Sequence, residues 1–141
     1  MSNDLSAIST AIGSFDELLD KARAKVDQLE SSQRTRPFGD LKSREVLYRE
    51  LATATERLNA NQRTLSALTR TKSQLRALRS KLKSDQSYSA LRQAYMLQID
   101  ELDRSLLELV EASRALEKGF EAQCRFLHTT QWLVSSQYFN D

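Results

Sequence analysis

Glycine and proline are nearly missing from this chain, with three of the first and one of the second in 141 residues. Sheets joined by many tight turns use both freely, so their scarcity argues against a β-rich fold. There is one cysteine, Cys124, which excludes an intramolecular disulfide and fits a reducing compartment. No run approaches the ~18 uninterrupted apolar residues needed to span a bilayer. The start Met-Ser-Asn-Asp-Leu lacks the basic residues and apolar run of a signal peptide, so an intracellular, cytoplasmic protein is expected, with a nuclear one also allowed. Charge of one sign is lacking too. The formal net charge of +2 does not by itself call for a nucleic-acid partner.

Catalytic signatures are equally scarce. The sequence holds no Walker loop, GxGxxG or GxSxG. Its only histidine, His128, lies four residues from Cys124, on one helical face. Two ligands do not make a zinc site, and a Cys-His pair on a straight helix has neither oxyanion hole nor pocket. No catalytic residue, cofactor or metal is therefore expected, and the chain is read as not an enzyme.

What is present is a heptad. Leu5, Ile8, Ile12, Phe15, Leu19, Ala22, Val26 and Leu29 alternate steps of three and four. Such a run makes one apolar stripe on a helix, which needs another helix against it. With 40% hydrophobic and 28% charged residues the chain can fold, and its length fits a single domain over 1–141. The expected fold is all-α: three long amphipathic helices in an antiparallel coiled-coil or three-helix bundle, with a projecting two-helix hairpin.

The helices are predicted over about 4–33, 41–83 and 88–138, with breaks near 34–40 and 84–87. Gly13 interrupts the first, and Ser14 with Glu17 forms a capping-box pattern there, but the unbroken heptad favours one continuous helix. Pro37, Gly39 and Asp40 mark the first break. The second, Ser84-Asp85-Gln86-Ser87, has neither glycine nor proline, so continuous helix through it is the alternative. The second helix carries Leu47, Leu51, Ala54, Leu58, Asn61, Leu65 and Leu68, then Leu75, Leu78 and Leu82. Two steps of three near Thr71 read as a stammer or as the drift of an ordinary 3.6-residue helix. Asn61 on this seam, and Lys72 near it, are polar residues of the kind that select register.

Charge supports the hairpin. No acidic residue occurs from Arg57 to Lys83, whereas acids outnumber bases from Asp100 to Glu121. Folding the chain at Gln86 sets Lys72 level with Asp100, Arg70 with Glu101 or Asp103, and Arg63 with Glu108. Folding at Pro37 lays the first helix along residues 43–69, which leaves an arm of about 70–102 with two helices only.

Three surfaces follow. The arm carries Leu75, Leu78, Leu82, Leu91, Tyr95, Met96 and Ile99, more apolar side chains than two helices can bury, so a partner helix is expected there, the alternative being that the first helix folds differently and covers them. The C-terminal aromatics Trp132, Tyr138 and Phe139 are either a second partner surface or a cap closing the bundle against Ile8, Ile12 and Phe15. The basic stretch 70–83, with Arg76, Arg79, Lys81 and Lys83, together with Arg92, is a candidate phosphate-binding patch for nucleic acid or an anionic membrane. The first surface leads to the expected function: a non-enzymatic scaffold or adaptor subunit of a larger intracellular assembly. It would associate through coiled coils with another protein or a second copy, without a small-molecule substrate. Binding of an anionic surface through 70–83 is the alternative. The pattern resembles the many short helical coiled-coil subunits of tethering, cytoskeletal, chromosome-segregation and secretion assemblies, a likeness of class that assigns no residue a role.

Overall fold

The structure is a computed structural model that describes the backbone of residues 1–35 and 44–139, and the side chains of residues 1–31 and 45–133. Three α-helices account for nearly all of it: α1 (Ser2–Thr35), α2 (Arg44–Ser84) and α3 (Arg92–Phe139). A single 3-10 turn, Gln86–Tyr88, joins the last two. The fold is all-α, a three-helix bundle. The reversal expected at Pro37 and Gly39 lies outside the described residues.

Local chemistry explains each helix. α1 places Asp4 in its first turn, 3.9 Å from the N-terminal ammonium, where the helix dipole favours a negative charge. It runs unbroken through Gly13, beside which an added Cβ would meet nothing. α2 opens with Glu45 and closes with Lys81 and Lys83, the charge order that suits the dipole. It is rich in threonine, an indifferent helix former. The hydroxyls of Thr53, Thr55, Thr69 and Thr71 each donate to the carbonyl four residues back, at 2.9–3.0 Å, which satisfies the hydroxyl within the helix at a small cost in helix stability.

Burial along α2 follows one strict column. Leu47, Ala54, Asn61, Leu68, Leu75 and Leu82 are seven residues apart and all buried. The stammer predicted near Thr71 does not break this column. What changes there is its neighbour: half-buried Leu51, Leu58 and Leu65 flank it on one side, and beyond them buried Thr71 and half-buried Leu78 flank it on the other. α3 carries a matching column, Ile99, Leu106, Ser113, Phe120 and Leu127. A second one, Leu109, Leu116, Gln123 and Thr130, lies beside it. A seven-residue repeat of this kind keeps one seam facing its partner helix.

Packing divides the chain into two compact units, and every helix contributes to both. The first unit joins residues 1–20 to residues 63–114. Its core is Leu5, Ile8 and Leu19 from α1, Leu68, Leu75 and Leu82 from α2, and Ile99, Leu106, Leu109 and Val110 from α3. The second joins residues 21–62 to residues 115–141. Val26, Leu47, Ala54, Leu116, Phe120 and Leu127 are its buried apolar side chains among the described residues. There α1 and α3 approach closely at Gly119, where a Cβ would lie 2.7 Å from the Cγ1 of Val26.

Two expectations need correction. The first half of α1 packs in the same unit as the hairpin instead of leaving it bare from residue 70. In that unit α1 supplies Ser2–Asp20 and α2 supplies residues 63–84, so at ~1.5 Å per residue α1 falls short of the tip by about one turn. The two-helix part of the hairpin is thus confined to its tip. The register is the second correction. Asp100 meets Arg79 rather than Lys72, one heptad away, with Nη2 2.6 Å from Oδ1. The reversal extends to Leu91 and α3 starts only at Arg92, which moves the fold-back point toward the C-terminus.

Candidate partner-binding surface

The hairpin tip is built without glycine or proline. Asp85 leaves α2 with an extended backbone, φ −97° and ψ 115°, after its amide has closed the last helical bond to Lys81. Its carboxylate accepts from the backbone amide of Ser87 at 3.0 Å and from the Ser87 hydroxyl at 2.7 Å. These two bonds, with a smaller pull from the Lys81 charge, hold the Asp85 carboxyl below its usual value of 3.8. Arg92 then reaches back ten residues. Its Nε donates to the Leu82 carbonyl at 3.1 Å and its Nη2 to the Asp85 carbonyl at 3.3 Å. One guanidinium thereby serves a carbonyl of the last turn of α2 and shares the Asp85 carbonyl with the Tyr88 amide.

Aromatic contacts stiffen the same tip. The rings of Tyr88 and Tyr95 meet edge to face, with centroids 6.2 Å apart and planes at 79°. The Lys81 ammonium sits 6.0 Å from the centre of the Tyr88 ring.

These contacts redistribute the residues singled out from the sequence. Leu75, Leu82 and Ile99 are core residues, fully buried once residues 1–20 join the hairpin, and so present no docking surface. Leu78, Tyr95 and Met96 are half-buried. Leu91 stands 53% exposed, and Leu97, six residues on, is 62% exposed. Of the basic set, Arg79 is committed to Asp100, Lys81 lies by Tyr88, and Arg92 caps α2. Arg76 and Lys83 are the exposed remainder. Arg92 was expected to face no acid and to be free for phosphate. Backbone carbonyls occupy it instead.

In the second unit Trp132 is 67% exposed and Leu133 beside it 38%. Tyr138 lies on the helical backbone of α3 and Phe139 ends it, while their side chains lie outside the described residues. Ile8, Ile12 and Phe15, against which these aromatics could close, belong to the first unit, and Trp132 is the one of the three aromatics whose side chain is among the described residues. Four exposed apolar residues escaped the sequence reading, Leu18 and Leu107 in the first unit and Val46 and Tyr48 in the second. Gln62 Nε2 donates to Glu117 Oε1 at 3.2 Å, and fifteen residues further along both helices Trp132 comes level with Leu47. Val46 and Tyr48 flank Leu47, so the available signal was their position one residue either side of a seam leucine.

Cys124 is half-buried and His128 exposed. Among the described residues, no group of three or more His, Cys, Asp or Glu side chains is placed to hold a metal ion, and no helix is long and apolar enough to cross a membrane. No protein-family model, curated protein or solved structure matches the chain.

Proposed function

We propose that this chain is a non-enzymatic adaptor or scaffold subunit that binds a helix of another protein, or of a second copy, at the hairpin tip. The observation that carries this reading is the pairing of a rigid tip with unused apolar surface. The Asp85, Arg92 and Tyr88–Tyr95 contacts fix the backbone, and Leu91 and Leu97 lie exposed on either side of half-buried Tyr95 and Met96. A single exposed leucine means little, but two of them around part-covered aromatic and thioether groups form an anchor of the kind interfaces use. A preorganised backbone also lowers the ordering cost of association.

Replacing both exposed residues, Leu91→Glu with Leu97→Glu, tests this. Neither belongs to the core, so circular dichroism is expected to keep its helical signal and melting temperature. Association, read by light scattering of the chain alone and by pull-down with its cellular partners, is expected to be lost. Association that survives the double change would refute the tip as the binding surface.

A further inference from the structure

The two units are filled differently. Among the described residues the most completely buried side chains, Leu5, Leu68, Leu75, Leu82, Ile99, Leu106 and Ser113, all belong to the first unit. Six of these seven are leucine or isoleucine. In the second unit the α2 column reads Leu47, Ala54, Asn61, so a methyl and a carboxamide stand where the first unit has leucines. The second column of α3 carries Leu109 in the first unit, and in the second Leu116 is followed by Gln123 and Thr130. A leucine at such a position contributes apolar burial that alanine, asparagine or glutamine does not supply, and polar residues on a heptad seam lower stability. Close packing of α1 on α3 depends there on Gly119, a residue that weakens a helix interior.

We infer that the second unit is a separately opening half of the bundle. Its helices part as a group while the first unit stays closed, and the opening uncovers Val26, Leu116, Phe120 and Leu127 as an apolar seam on helices still anchored in the first unit. Proteins open in cooperative pieces whose free energies follow local apolar burial, and here burial changes along each helix without any break in the chain. Gly119 acts as the latch. The Val26 methyls it faces belong to a β-branched side chain with little freedom to turn aside, so this approach closes fully or not at all.

Native-state hydrogen exchange on the full chain, followed by mass spectrometry of peptides, tests the proposal. Segments 48–61 and 116–130 are expected to exchange at one common rate, about 100-fold faster than segments 64–82 and 96–112. Asn61→Leu should slow the first pair by at least about tenfold and leave the second unchanged. Gly119→Ala should speed the first pair only. These two variants push in opposite directions, so misfolding of one does not remove the test. Equal protection in both halves would overturn the inference. So would a graded loss toward the helix ends, which is fraying, or variants that shift both halves together.

Discussion

Asp85 performs a task that most helical reversals give to glycine. Its carboxylate replaces the missing helical acceptor for Ser87, and Asp85 and Ser89, at the two ends of the 3-10 turn, both keep negative φ. The bonds that do this favour the ionised form, which accepts more strongly than the protonated one. The folded-state pKa is therefore below the unfolded one, so this contribution is present above the ordinary carboxyl value and lost as pH falls through the lower folded value. The Ser87 amide resonance should report it, with a titration midpoint below 3.8. A midpoint at or above that value would show that the carboxylate does not hold the turn. The sequence marked this place by its polar tetrad, Ser84 to Ser87, but not how far the turn runs. Four further residues pass before α3 begins, because Arg92 must come round to meet Leu82 and Asp85. A hydrogen bond across ten residues leaves no local pattern, which is why Arg92 read as a free cation.

At the level of the helix, Arg92 is the C-terminal cap of α2, supplied by another element. Arg92→Ala should lower stability by about 1–2 kcal/mol in urea unfolding, the scale of a part-buried hydrogen bond from a charged donor. Lysine should restore little of it, since a single ammonium cannot reproduce two bonds in a fixed fork. Unchanged stability in both variants would mean the carbonyls are as well served by water. Helix existence and type were legible throughout, because α1 and the α2 column repeat every seven residues over many turns. The continuity of α1 through Gly13 was legible for the same reason. The apparent slip at Thr71 came from giving equal weight to every apolar residue. Burial separates a central column that never slips from flanks that change sides. Core and docking surface were confused for a related reason. Leu75, Leu82 and Ile99 look like surplus apolar surface only if α1 stops short of them, and the reach of α1 depends on a reversal whose position the sequence marks only loosely.

For the whole chain, the one-heptad difference between the expected and observed register has a kinetic meaning. In the hairpin 63–114, Leu68, Leu75 and Leu82 repeat with the same period as Ile99, Leu106 and Ser113. Sliding α3 by seven residues would still turn every one of these side chains inward, and would still bring Asp100 to a cation, Lys72 in place of Arg79. Hydrophobic patterning alone thus leaves a decoy close in energy to the native pairing, and a chain caught in it must reopen before it can correct itself. What separates the two is aperiodic: the bonds of Asp85 and Arg92, which fit one reversal only, together with the Gln62–Glu117 bond and the close approach of Val26 to Gly119. Removing the first two, with Asp85→Ala and Arg92→Ala, should add a slow second phase to stopped-flow refolding, where the natural sequence shows one. A single phase in both proteins would place the choice of register elsewhere. With a second phase present only in the variant, the turn from Asp85 to Arg92 decides how seldom the chain closes one step out of place, beyond what it adds to the strength of the hairpin.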